Sequence, residues 1–442
     1  MTAVGAATPD AGARGHVSTR QAAFIGVGAM VGAGIFSLLG AAGEVAGSAV
    51  WVSFLIAGGV AALQGYSFAK FGARYPSAAG LLEYVNRGFG ASHVATVTAW
   101  LVYAANIIVT AMVALSFGSY ASDMFAGGSV PAVKAFAVLV VVTMTALNVG
   151  GSTFVARVQS VVVFVVVGIL AVFAAVTLAN ANRELLASSG YPRLQDIISG
   201  VALTFFAFLG FGVVTFTAKD LADPTRQLPR AMAIAIGLAT VIYVAVALGV
   251  FGTLTVSEVI AAGPTAIAVA AQPVLGQAGY WLMSVTALFA TAGATNAGLY
   301  PAAGLSDELA STGQFPAAMG GRIGGRASTG LVVAAAGILL LVVAFNLSSV
   351  ASIGSAVALS IFALVTIGHL RVHRETGARL SILVLALATT GTTLLVFVFT
   401  TLVNEPASIV TLVAIVLVSL GLDLAVARRP RATPEGEMET PR

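Results

Sequence analysis

"GVGAMVGAGIF", Gly26 to Phe36, places four glycines within eleven residues of a strongly apolar stretch. A glycine inside a helix costs about 1 kcal/mol relative to alanine, and lipid offers the backbone no substitute partners. The run therefore has two readings: close approach of a neighbouring helix, or an interruption of the helix at membrane depth. Which one holds decides whether the chain is a plain helix bundle or one built around a pathway.

The surroundings set the class. The chain has 442 residues, 58% hydrophobic and 9% charged, with a mean hydropathy of +1.00, which is the composition of an all-α integral membrane protein. Apolar stretches of about 20 residues, the length that crosses a bilayer, recur along the chain. They run over 21–43, 48–72, 94–125, 131–149, 155–179, 197–218, 229–253, 277–303, 328–346, 350–370, 379–402 and 406–427. The amphipathic segment 74–92 suggests a short helix on the membrane surface, and Pro264 to Gln272 a short lid between the seventh and eighth stretches.

Lys and Arg concentrate in loops on the cytoplasmic side. With the N-terminus inside, eighteen basic residues fall on inner segments and only Lys134, Arg183 and Arg193 on outer ones. The bias predicts both termini in the cytoplasm and a multi-pass protein of the cytoplasmic membrane, and it explains the net charge of +4 without nucleic acid. The chain has no cysteine, which excludes disulfides and thiolate chemistry. The four histidines sit at predicted inner ends with no carboxylate at depth beside them, so no metal, cofactor or enzymatic role is expected. An ion channel would show filter or pore-helix repeats, and none is visible.

Ionisable residues inside a membrane usually mark function, yet the predicted midplane carries none: Glu44, Asp123, Asp196, Glu258 and Glu405 sit at outer ends, Lys219, Asp220, Asp307, Glu308 and Asp423 at inner ends. Recognition there falls to backbone, hydroxyls, amides and aromatic faces. A second glycine and aromatic cluster, "FFAFLGFG" (Phe205 to Gly212), lies five stretches after the first. Corresponding breaks in two halves of a chain point at a transporter binding site. A broken helix exposes amides at one new end, which suit a carboxylate, and carbonyls at the other, which suit an ammonium or sodium. A zwitterion fits both.

Four motifs carry a family resemblance. "GAMVGAGIF", "YSFAKFGARYPSAAGLLEYVNRGFG" (Tyr66 to Gly90), "FFAFLGFGVVTFTAKDLADPTRQLPRA" (Phe205 to Ala231) and "TNAGLYPAAGLSDELASTGQFP" (Thr295 to Pro316) resemble, in order, signatures of the amino acid-polyamine-organocation (APC) superfamily of transporters. The resemblance implies twelve transmembrane helices in a LeuT-like fold of two inverted five-helix repeats, with discontinuous helices 1 and 6 and helices 11 and 12 added. Its boundaries here are a disordered tail 1–19, repeats 20–180 and 181–375, helices 11 and 12 over 376–427, and a disordered tail 428–442.

Family roles carried over place the substrate within Met30, Val31, Gly32, Ala33, Gly34 and Ile35 on helix 1 and Phe206, Leu209, Gly210 and Gly212 on helix 6. The carboxylate would meet amides around Gly32, Ala33 and Gly34, and the ammonium the carbonyls near Met30, Phe206 and Leu209. Phe206 would close over the substrate. On helix 3, Tyr103 and Asn106 are candidates for side-chain contact or for plain helix packing. Lys219 and Asp220 stand where relatives carry an acidic inner-gate pair. The chain has Gly212 where many relatives have Glu, which favours a neutral, bulky apolar amino acid. Where some proton-coupled relatives have a helix 5 lysine, the aligned residue is Val166. A sodium site would use Gly26, Val27, Thr291 and Thr295. The coupling ion, H+ or Na+, stays open, as does monomer or homodimer. The alternatives are an exchanger or importer of polyamines or cationic amino acids, and a non-transporting sensor on the same fold.

Overall fold

The computed structural model describes residues 17–31, 34–77, 80–90, 92–149, 153–323 and 327–427. Gly32, Ala33 and most of both tails, on which several expectations fall, lie outside the described residues.

The first apolar stretch forms two short helices, α1 (Thr19–Val31) and α2 (Ile35–Ala46). They are followed by α3 (Val50–Arg74), the short α4 (Leu81–Phe89), α5 (His93–Ala126), α6 (Val130–Val149) and α7 (Thr153–Ala179). Then come α8 (Leu194–Phe206), α9 (Pro224–Phe251), α10 (Val256–Ala262), α11 (Ala266–Ser311), α12 (Thr329–Ala344), α13 (Leu347–Thr376), α14 (Leu380–Thr400) and α15 (Pro406–Ala427). Helix occupies each of the twelve apolar stretches. Ten helices among the described residues are long and apolar enough to cross a membrane, and Thr329–Ala344 is a shorter apolar one.

Helix α4 sits where the surface helix is expected; its Leu82, Tyr84 and Val85 are buried, and its Gly88 lies against the backbone of Gly368 on α13, a contact that a Cβ would break. The expected lid, Pro264 to Gln272, falls on a 3₁₀ turn at Gly263–Thr265 and the start of α11, just after the short α10, and α11 bends at Gly276, where φ is +68°. That conformation favours glycine because it has no Cβ to clash.

The sixth apolar stretch departs from expectation. Its α-helix ends at Phe206, earlier than the break expected at Gly210, and after a two-residue turn the chain continues as a 3₁₀ segment, Leu209–Asp220. Runs of this kind longer than three or four residues are uncommon and often mark a hinge or strain. Gly210 and Gly212 therefore lie inside the tighter helix rather than at the break.

Buried polar side chains bind the bundle where apolar packing is non-directional. Gln64 on α3 donates to Thr390 of α14 at 2.8 Å and accepts from Thr366 of α13 at 2.8 Å. Ser67 meets His369 Nδ1 at 2.7 Å. The partly buried Lys134 on α6 donates to the carbonyls of Val342 and Phe345 at the end of α12. A cation on the last carbonyls of a helix complements its dipole, so Lys134→Met is expected to lower stability by about 1 kcal/mol, read as an earlier thermal unfolding midpoint. An unchanged midpoint would remove this role.

Candidate functional site

The two interruptions meet. A Cβ on Gly34, at the start of α2, would lie 2.4 Å from the Cβ and 2.9 Å from the carbonyl oxygen of Ala207, in the turn after α8. A Cβ on Gly210 would lie 2.4 Å from the carbonyl carbon of Ala29 and 2.5 Å from the amide nitrogen of Met30. Gly26 faces Val214 of the 3₁₀ segment as closely, at 2.4 Å, and Gly28 faces Val163 of α7 at 2.7 Å. Contacts under 3 Å with backbone leave nothing to give. The first reading of the opening motif therefore holds, since its glycines admit close neighbours; the described helix ends at Val31 and resumes at Ile35, with Gly32 and Ala33 between them outside the described residues.

Several predicted recognition groups are engaged with one another. The Gly34 amide donates to the Met30 carbonyl at 3.1 Å across the interruption, and Gly34 has helical dihedrals. Met30, Val31 and Ile35 are buried. In the second break, the Ala207 carbonyl accepts the Tyr243 hydroxyl of α9 at 3.1 Å, while the Ala207 and Phe208 amides donate to Thr204 and Phe205.

Phe206 is buried and its ring lies between α13 and α5: a Cβ on Gly354 would meet the ring at 2.3 Å and Ile108 at 2.9 Å. Leu209, Gly210 and Gly212 are partly buried. Around the Cβ position of Gly212 there is no other atom within 4 Å.

Tyr103 and Asn106 are committed elsewhere. The Tyr103 hydroxyl donates to the Gly330 carbonyl of α12 at 2.6 Å, and its ring meets Phe315 edge-on at 5.5 Å. Asn106 donates to the Gly298 carbonyl of α11 at 2.8 Å. Thr291 and Thr295 are buried and their hydroxyls donate back to the Ala287 and Thr291 carbonyls on their own helix, a common habit of membrane threonines. Gly26 and Val27 are buried on α1, and Val166 is buried on α7. Lys219 and Asp220 are exposed and form no ion pair among the described residues. Instead the Asp220 carbonyl accepts the Val17 amide at 2.9 Å, tying the chain before α1 to the end of the 3₁₀ segment.

The residue missed by sequence reasoning is Tyr243. It is fully buried between Phe54, at 5.3 Å, and Phe208, at 5.0 Å, and its hydroxyl satisfies a carbonyl that the end of α8 leaves over. The available signal was a lone hydroxyl-bearing aromatic in the middle of an apolar stretch; a search confined to ionisable groups passes over it. Near α4, Tyr75 donates to Glu375 of α13 at 2.6 Å under the Arg87 guanidinium, and the carboxylate acceptor holds the phenol above its ordinary range.

Comparison with known proteins bears on this geometry. The family model described as amino acid permease matches residues 17–421. An inner membrane transport protein of Escherichia coli is 31% identical over 407 residues, covering 91% of this chain and 94% of its own. The methylthioribose transporter of Bacillus subtilis is 25% identical over 260 residues, 55% of this chain and 56% of its own. Human cationic amino acid transporter 4 is 30% identical over 268 residues, 54% of this chain and 41% of its own.

Proposed function

The chain belongs to the amino acid permease family, and on that footing we propose that it carries neutral, apolar amino acids across the cytoplasmic membrane by alternating access at the two paired interruptions. It is a multi-pass membrane transporter. The finer reading is twelve membrane crossings, both termini cytoplasmic, with 20–180 and 181–375 as inverted repeats.

One observation supports the reading: Gly34 seats against the Ala207 backbone in the turn after α8, and Gly210 against the backbone of Ala29 and Met30 in the last turn of α1, so movement of one segment is transmitted to the other without an intervening side chain. In this state the Gly34 amide is spent on Met30. A zwitterion would take its carboxylate to the amides of the first interruption, the Gly34 amide exchanging Met30 for substrate, and its ammonium to carbonyls near Met30, Phe206 and Leu209. Such exchange costs little because each group moves from one hydrogen bond to another. Phe206 would then close over the substrate, with Lys219 and Asp220 near the inner mouth.

A second reading, a cationic substrate, draws on the similarity to cationic amino acid transporter 4. The open position at Gly212 has no carboxylate to neutralise an extra positive charge, which weighs for the neutral class. Uptake of leucine and phenylalanine into proteoliposomes, with lysine, arginine and putrescine as comparators, tests the choice. Saturable uptake of the apolar pair is expected; uptake confined to the cationic compounds overturns the proposal. Repeating the assay with choline in place of sodium tests the site at Gly26, Val27, Thr291 and Thr295, which unchanged rates would dismiss.

A further inference from the structure

Helices α5 and α11 run antiparallel in a register set by two hydrogen bonds. Asn106 meets Gly298 near one end, and the Tyr280 hydroxyl donates to Asp123 Oδ2 at 2.6 Å near the other. Stepping one turn inward from the second bond, to Tyr120 on α5 and Ser284 on α11, puts those two side chains across the same seam, since residues three and four apart share a helix face. Both are fully buried. Tyr120 Oη, within electrostatic reach of Asp123 and Tyr280, makes no hydrogen bond, and Ser284 Oγ has only a poorly aligned approach to the Tyr280 phenol.

Orphaned buried hydroxyls are rare and call for a cause. Here Tyr120 Oη lies within reach of a carboxylate that has one phenol donor and, among the described residues, no ion pair, and Ser284 sits beside that phenol. The donor set is all oxygen: one carboxylate, two phenols and one alcohol, with a single negative charge. Hard cations select oxygen ligands, and a single charge matches a monovalent ion better than a divalent one. The seam ends about two helix turns from Ser284, where α11 bends at Gly276.

We propose that the α5–α11 seam at Asp123, Tyr120, Tyr280 and Ser284 binds a hard monovalent cation. The site is separate from the paired interruptions and shares no residue with the sodium site at Gly26, Val27, Thr291 and Thr295. It concerns binding, so it stands or falls apart from the transport reading.

The test is thermal unfolding of the purified full chain without any amino acid, in chloride salts of lithium, sodium, potassium or choline at equal ionic strength. A ligand that prefers the folded protein raises its midpoint with concentration. The expected result is a saturable rise of several degrees for one alkali cation over choline, lost in Asp123→Asn and Ser284→Ala. Tyr120→Phe removes a hydroxyl that has no protein partner, so it is expected to lose the cation response while remaining at least as stable as the parent in choline. No alkali-specific rise, or a rise kept in all three variants, overturns the proposal. So does a Tyr120→Phe protein that is markedly less stable in choline, because that hydroxyl is then satisfied without a cation.

Discussion

Gly210→Ala is expected to reduce uptake by one to two orders of magnitude. The added methyl would sit 2.4 Å from the Ala29 carbonyl carbon and 2.5 Å from the Met30 nitrogen, where backbone on both sides prevents a cheap adjustment. Overpacking of this kind costs about 1–3 kcal/mol, which is roughly 5- to 150-fold in an equilibrium or rate. The 3₁₀ segment must move away from α1, and the registry between the two interruptions goes with it. Gly34→Ala, against Ala207 Cβ at 2.4 Å, is expected to behave alike. Gly391→Ala on α14 is the control: with no atom within 4 Å of the new methyl and no place in the candidate site, uptake should stay within about twofold, since substitutions away from special features rarely exceed about 0.5 kcal/mol. Proteoliposome uptake at equal protein content reads all three, and thermal unfolding separates misfolding from impaired transport. Wild-type uptake by Gly210→Ala would mean that the interruptions are not mechanically joined.

The contrast among these glycines explains what was legible in the sequence. Long apolar stretches place helices within a few residues because each must satisfy its own backbone in lipid, and α15 even begins and ends at the expected 406 and 427. The glycine and aromatic run Phe205 to Gly212 flagged the region where α8 ends, although the end falls at Phe206 and not at Gly210. The sequence could not reveal which neighbour each glycine admits. Gly26, Gly28, Gly34 and Gly210 meet four different partners, a matter of tertiary packing. Nor was the 3₁₀ segment after Phe206 readable, because Leu209 to Asp220 has an apolar composition that suits either helix. Tyr103 and Asn106 illustrate the same limit: a polar group on an inner helix face suits recognition or packing equally until its partner is known, and here the partners are the Gly330 and Gly298 carbonyls.

Tyr243 supplies the other strong prediction, because it caps the second interruption from outside it. Where α8 stops, the Ala207 carbonyl is buried and its partner is the Tyr243 hydroxyl at 3.1 Å. Tyr243→Phe keeps the ring between Phe54 and Phe208 and removes only the donor. Leaving a buried acceptor unsatisfied costs about 1–3 kcal/mol, so the unfolding midpoint should fall by several degrees. The turn can instead relax by drawing the carbonyl toward another donor, and Gly34 packs closely against Ala207 across the seam, its own amide engaged with Met30. Relaxation at the second break therefore disturbs the first, and uptake should drop by about tenfold as well, the rate equivalent of 1.4 kcal/mol. Tyr243→Leu, which also loses ring packing, should unfold earlier still. If Tyr243→Phe matches the parent in both midpoint and uptake, the Ala207 carbonyl does not depend on the hydroxyl, and the second interruption holds its shape by backbone packing alone.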